Sequence, residues 1–427
     1  MTCQPFCRRS PQAGPDQAGR GRPWLARAVY GVLIIEIALV IWYAVAYRQV
    51  DFRVYMWGGH NVSRGTLLYL GKASGHWFTY PPFAAVLFAP ISVLPVIPAQ
   101  VLWELASVAA FAIACATTLK LAGWRATRTT VAAVLAAGLL LEPVYHTLLQ
   151  GQINLILLAL VLADVWRVSR NRPAGIGVGI AAAIKLTPAI FVLLFLLAKR
   201  PRAALTALST CLVCGLAGYL VAPGASRLYW THVFYETNRI DAPYIGNQSP
   251  YGAAIRIFGG VADVGHWYLL VSVVIGVAGL AAAAVFARHG DWLTAAAVTG
   301  TTSLLVSPVS WTHHWVWILP ALVGLARGGK GDRIAAACGY LLFAVSPLWW
   351  TPHSLGRPDY GFHGALTIVA NCYLIAGFAF LAVMTWRAGR LMTEGREPDR
   401  SFSPRDVGRQ HSGARNIPLS SDRFPAP

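Results

Sequence analysis

Apolar residues fill this chain in long blocks, and short polar clusters fall at or near the block ends. Taking the apolar runs between charges gives candidate spans near 26–47, 98–119, 129–145, 153–166, 174–185, 187–198, 203–222, 266–287, 291–307, 314–326, 334–350 and 364–386. The Leu, Ala and Val runs lack the period-2 alternation of membrane strands, so each block predicts a helix whose backbone groups are satisfied internally. The expected fold class is an all-α polytopic membrane protein of about 12 transmembrane helices, each needing roughly 20 residues to cross unbroken. Two segments depart from the pattern. The run Pro81 to Pro95 is apolar but short and interrupted by prolines, which predicts a re-entrant or interfacial helix in the loop after the first span. The pair 174–185 and 187–198 is also short, and a shared break at Leu186-Thr187-Pro188 would place irregular backbone and Lys185 inside protein or a wet cavity.

Composition agrees with this reading. The 427 residues are 56% hydrophobic and 12% charged, which excludes an ordinary soluble domain. A formal charge of +18 could suit nucleic acid, but its distribution points to a lipid bilayer instead. Under the span assignment, 26 of the 35 Lys and Arg residues lie in the tails or in short loops around Arg125, Arg170, Arg200, Arg288 and Lys330. The positive-inside rule then makes both termini cytoplasmic and sends 48–97, the turn near Gln152, 223–265, the turn near Pro308 and 351–363 outward. Nine of the eleven His residues go with those loops, as do Asp51, Glu236, Asp241, Asp263 and Asp359, so the external face holds the chemistry. Residues 1–25 and 388–427, rich in Arg, Pro, Gly and Ser, are expected to be disordered cytoplasmic tails around a membrane-embedded domain of 26–387. No signal peptide is expected, because the first apolar run is long and lacks a small-residue cleavage site before Asp51. Cys3 and Cys7 fall in the first tail and the other cysteines in apolar spans; the spacing Cys211-x-x-Cys214 has no His or acidic company, so it predicts no zinc site.

The polar clusters each carry two readings. Asp51, four residues past the first span, is either a solvated loop carboxylate or a general base whose loop also holds Tyr55, His60, Tyr69, His76 and Tyr80. Lys185 is an ammonium at membrane depth, which needs a partner: either an ion pair with Glu36 or Glu104, or an anionic group of a substrate. His313 and His314 are adjacent, and neighbours on a helix point about 100° apart, so they are not expected to share one metal. Gln152, Asn154, Asn247 and Gln248 offer neutral donors and acceptors, suited to sugar hydroxyls or to capping turns. The chain contains no Asp-x-Asp, and neither metal nor cofactor is expected.

Taken in order, Asp51-x-x-Val54-Tyr55, Gly65-x-x-x-Tyr69, Tyr80-Pro81-Pro82-Phe83, Gly151-Gln152-x-Asn154, Lys185-x-x-Pro188, Asn247-Gln248-Ser249 and Ser307-Pro308-x-Ser310-Trp311-x-His313-His314 resemble glycosyltransferase family 87. The resemblance runs from about residue 30 to 385. It implies the C-type membrane glycosyltransferase fold and an actinobacterial, polyprenyl-phosphate-mannose-dependent α-(1→2)-mannosyltransferase of the plasma membrane. It implies an extracytoplasmic site, and an acceptor that is a mannan or glycolipid. Lipomannan or lipoarabinomannan branching is the first expectation, and elongation of a phosphatidylinositol mannoside is the alternative. The resemblance gives Asp51 the role of catalytic base in a single inverting displacement. Lys185, His313, His314 and Arg239 would meet the donor phosphate, while Tyr55, Tyr80, Gln152, Asn154, Asn247, Gln248 and Trp311 would meet the substrates. The competing class is a lipid or polyprenyl-glycan transporter. Transporters usually show internal repeats and ionisable residues at the bilayer midplane, whereas here no clear repeat is present and most polar clusters sit at span ends.

Overall fold

A computed structural model describes residues 23–236, 239–260, 264–353 and 362–394. Cys3, Cys7, Asp263, Asp359 and most of both expected tails lie outside the described residues. The elements in chain order are α1 (Pro23–Ala46), α2 (Val50–Asn61), α3 (Leu67–Leu70), β1 (Lys72–Ala73), β2 (His76–Trp77), α4 (Pro82–Ser92), α5 (Val96–Leu121), α6 (Arg128–Leu139), α7 (Glu142–Gln150) and α8 (Asn154–Ser169). They continue with α9 (Ile176–Ile184), α10 (Ile190–Leu197), α11 (Pro201–Val221), α12 (Pro223–Thr231), α13 (Pro250–Phe258), α14 (Trp267–Arg288), α15 (Trp292–Val306), α16 (Ile318–Ala326), α17 (Lys330–Val345), α18 (Ala365–Ala370) and α19 (Cys372–Glu394).

The described residues are all-α apart from one two-stranded antiparallel hairpin, in which Lys72 faces Trp77 across a turn at Ser74-Gly75. Among the described residues, five helices, α1, α5, α11, α14 and α19, are long and apolar enough to cross a membrane, and the bent pair α6–α7 makes a sixth if counted as one span. Helix α1 buries only Ala44 among its 24 residues, the pattern of a helix whose apolar surface faces lipid on nearly every side. The protein is thus a helical membrane protein. Its shorter helices pack between the long ones: α4 lies against α2, α8 against α5, α9 against α11, and α15 against α14.

Where the apolar blocks are not single helices, proline or a polar residue supplies the reason. The expected span 129–145 breaks at Leu140-Leu141, and α6 and α7 meet at 77°. Pro143 lacks an N–H and is tolerated in the first turn of a helix, so the chain starts a new helix at Glu142 rather than carrying proline through the middle of an old one. The predicted break between α9 and α10 is present. Lys185 is extended (φ −146°, ψ 126°), and Thr187–Ala189 form one 3₁₀ turn around Pro188. The block 364–386 is also split, at Asn371, and its second part runs on to Glu394, past the limit expected for the final tail.

Candidate active site

Helix α2 begins at Val50, one residue before Asp51, so Asp51 sits in its first turn, where the helix dipole favours a negative charge. Opposite it, α7 ends at Gly151 in the left-handed conformation (φ 68°), and a Cβ there would lie 2.6 Å from Phe52 Cβ. Only glycine makes that turn at that distance. The turn delivers Gln152 beneath α2: its Nε2 donates to Asp51 Oδ2 at 3.0 Å, and its Oε1 accepts from the Tyr55 hydroxyl at 2.7 Å. Tyr80 joins the same amide, 2.9 Å from Nε2, and stands 3.1 Å from the Tyr55 hydroxyl. Tyr69 in turn donates to the Tyr80 carbonyl at 2.8 Å, and Arg239 Nη1 donates to the Tyr69 carbonyl at 2.7 Å.

Asp51 is half-buried while Gln152, Tyr55 and Tyr80 are buried, so the carboxylate is the open edge of an otherwise closed network. Burial raises its pKa above the ordinary carboxylate range, and the Gln152 hydrogen bond and the positive field of Lys185, His76 and His146 work against that rise. Burial also pushes the Tyr55 and Tyr80 phenols up, so both stay protonated as donors.

Beyond the Tyr80 ring, the break after α9 holds Lys185 half-buried. Its Nζ donates to Asn154 Oδ1 at 3.1 Å, lies 2.9 Å from His314 Nε2, and stands 5.9 Å above the Tyr80 ring. Among the described residues it pairs with neither Glu36 nor Glu104: Glu104 accepts from Gln49 instead, and the Glu36 oxygens have no hydrogen-bond partner. The His313 carbonyl accepts from Asn154 Nδ2 at 2.8 Å and Thr147 Oγ1 at 2.9 Å, which fixes the backbone of the histidine pair against α7 and α8. The two rings are nearly perpendicular, at 84°, and His313 is the buried one.

The remaining candidates have mostly structural partners. Asn247 and Gln248 are fully buried, and their side chains are spent on backbone. Asn247 Oδ1 accepts from Ser310 N at 2.9 Å, its Nδ2 donates to the Ala242 and Pro308 carbonyls, and Gln248 Nε2 donates to the Ile245 and Ala370 carbonyls. They brace the segment before α13 against the segment carrying Trp311, which pairs with Asn247 as an isolated β-bridge. Arg239 lies beside the hairpin, its guanidinium 4.8 Å over the Trp77 ring and paired with Glu236. Asn247→Ala is therefore expected to lower the thermal midpoint in detergent, by an amount equivalent to about 2–3 kcal/mol for the buried groups left unmade. A normal midpoint with a raised KM would make Asn247 a substrate contact instead.

One unit escapes the residue-by-residue reading of the sequence. Glu142, in the first turn of α7, accepts from Trp349 Nε1 and the Tyr373 hydroxyl, each at 3.0 Å, and its Oε1 lies 2.8 Å from His146 Nδ1. The signal was present as an acid and a proline opening a new helix, with a histidine four residues on.

The arrangement can take a proton from a hydroxyl at Asp51 while a cation and imidazoles face the same space. Residues 78–308 match glycosyltransferase family 87. The chain is 33% identical, over 81% of its length and 86% of the relative's, to a polyprenol-phosphate-mannose-dependent α-(1-2)-phosphatidylinositol mannoside mannosyltransferase of Mycobacterium tuberculosis. It is 34% identical over the same shares to the enzyme so named in Mycolicibacterium smegmatis. A polyprenol-phosphate-mannose-dependent α-(1-2)-phosphatidylinositol pentamannoside mannosyltransferase of M. smegmatis is 33% identical over 71% of this chain and 77% of its own. No solved structure matches. The chain belongs to glycosyltransferase family 87 and is a membrane-embedded enzyme.

Proposed function

We propose that the chain transfers mannose from polyprenyl-phosphate-mannose to a glycolipid acceptor of the phosphatidylinositol mannoside class, in α-(1→2) linkage with inversion, on the extracytoplasmic face. The observation that carries this reading is a half-buried Asp51 joined through Gln152 to Tyr80, with Lys185 5.9 Å over the Tyr80 ring and beside His314. Asp51 takes the acceptor proton as the acceptor oxygen attacks the anomeric carbon, and Lys185 with His314 receives the lipid phosphate as it leaves. The names of the relatives favour a phosphatidylinositol mannoside as acceptor, so branching of lipomannan or lipoarabinomannan becomes the second arm of the test. In the same reading the shorter helices complete about 12 crossings, with α4 re-entrant or interfacial, both termini cytoplasmic, and the loops of Asp51, Arg239 and His353 external.

The test is transfer by the purified chain from labelled polyprenyl-phosphate-mannose to each acceptor. The expected result is an α-(1→2) product on the phosphatidylinositol mannoside. A product on the longer mannan alone would reassign the acceptor, and no transfer to either would end the reading. Transfer is also expected to continue in the presence of a chelator, since a lone base suffices for a single displacement; activity restored only by added metal would overturn that. Cysteine labelling that found residues 50–80 on the cytoplasmic side would overturn the topology.

A further inference from the structure

Glu142 and His146 hold no role in the reaction described so far, yet their chemistry is unusual for the inside of an apolar bundle. Glu142 is 1% exposed and takes its donors from His146, Trp349 and Tyr373, with no Lys or Arg among them. His146 Nδ1 is also 2.9 Å from Thr312 Oγ1, so two partners hold that one nitrogen. With Nδ1 committed, Nε2 is the remaining nitrogen. It makes no hydrogen bond among the described residues, and the side chain is 21% exposed.

That ring continues the phosphate wall. Its centroid is 5.2 Å from the His313 ring, His313 is 4.8 Å from His314, and His314 Nε2 is 2.9 Å from Lys185 Nζ. Both ring nitrogens of His313 are buried without a hydrogen-bond partner among the described residues. A buried polar group left unpaired costs about 1–3 kcal/mol, so a ring orphaned on both nitrogens beside a second histidine and a lysine points to a ligand that completes it. Three imidazoles and an ammonium call for an anion, and the mannosyl donor brings one.

We infer that Glu142 positions His146 so that Nε2 contacts the phosphate of the lipid donor together with Lys185 and His313, and holds it as it departs. The inference rests on the mannosyl-phosphate reading above. The acceptor oxygen forms its bond to the anomeric carbon, and the bond from that carbon to the phosphate oxygen breaks with its electron pair passing to the phosphate. The acceptor proton goes to Asp51. His146 keeps its protons, one directed to Glu142 and one to the phosphate, and the carboxylate balances its charge. His146 is then a catalytic residue, and Glu142 acts through it.

The experiment uses the purified full chain with polyprenyl-phosphate-mannose. His146→Ala is expected to lower kcat about tenfold to a hundredfold, as loss of one preorganised donor to a charged leaving group does, with the acceptor KM unchanged. His146→Gln, which keeps an N–H donor, should recover part of that loss. Glu142→Gln should lower kcat about tenfold alone and add nothing once His146 is Ala, because two residues acting through one contact are not additive. Additive losses would make Glu142 structural, and a raised acceptor KM at normal kcat would move His146 to the acceptor; either overturns the inference. A second measurement needs no turnover: thermal stabilisation by a short-chain polyprenyl phosphate, expected in the parent and lost in His146→Ala. Parent-like stabilisation of that variant would remove the phosphate contact. A parent that binds this lipid but transfers no mannose, with binding lost in His146→Ala, would end the mannosyltransferase reading and leave the phosphate site standing.

Discussion

Replacing Asp51 by Asn is expected to abolish measurable mannosyl transfer while leaving the protein inserted and its lipid-phosphate binding intact. The substitution keeps the side chain's shape and its contact with Gln152 Nε2, which donates at 3.0 Å to an oxygen that the amide retains. Only the capacity to accept a proton is lost, and positioned proton transfer is worth about 10²–10⁴ in rate. The pH profile supplies a second check. Burial, partly offset by the Gln152 hydrogen bond and the field of Lys185, holds the Asp51 carboxyl above its ordinary range. A base works only when deprotonated, so turnover should rise with pH through that raised value and fall as acid protonates the carboxylate. Asp51→Glu should shift this acid limb, and Asp51→Asn should have no turnover on which a limb could appear. Near-normal kcat in Asp51→Asn would move the base elsewhere. Glu236, already paired with Arg239, and Asp241 would be the next carboxylates to change among the described residues.

Much of the helical plan was written in the apolar blocks, because a membrane helix must satisfy its own backbone and so declares itself in composition. The break at Lys185 was legible for the same reason, since Pro188 cannot sit in the middle of an unbroken helix. The bend before Glu142 was harder to see. Leu139 to Leu141 read as the middle of one apolar run, and the turn depends on where Pro143 lands in the next helix. That misreading hid the Glu142–His146 pair, because the single span 129–145 ran through Glu142 and stopped short of His146. The hairpin at Lys72–Trp77 is too short for any period to register, and only Ser74-Gly75, both at positive φ, marked it. Asn247 and Gln248 show a different limit of the sequence. Polar amides near a span end look like ligands, but their partners, Ser310 N and the Ala370 carbonyl, lie far away in sequence, and only the folded chain shows them occupied. The pairing of Asp51 with Gln152 is equally long-range, and no local pattern announced it.

Lys185→Ala is expected to cut kcat about 10²–10³-fold, the usual loss when one preorganised group facing developing charge is removed from a water-poor site. The argument is geometric. Lys185 spends its described contacts on neutral partners, Asn154 and His314, and no carboxylate among the described residues pairs with its ammonium. A charge at this depth without a salt bridge, with Asp51 acting on it only from further off, is costly, and the donor phosphate would relieve that cost on binding and more fully as its own charge grows in the transition state. The loss should therefore fall mainly on kcat, with a smaller change in donor KM. Lys185→Arg should restore little, because a planar guanidinium cannot occupy the point-like position 2.9 Å from His314 Nε2 and 3.1 Å from Asn154 Oδ1. Removing the ammonium also releases Asn154 Oδ1, but Asn154 Nδ2 still holds the His313 carbonyl at 2.8 Å, so the fold should survive. Folded Lys185→Ala protein with parent-like kcat would make this lysine a structural link between α8 and the histidine pair. A variant that fails to accumulate in the membrane would point the same way if Lys185→Met, which keeps the apolar stem, accumulates no better; a folded but inactive Lys185→Met would return the charge to the chemistry.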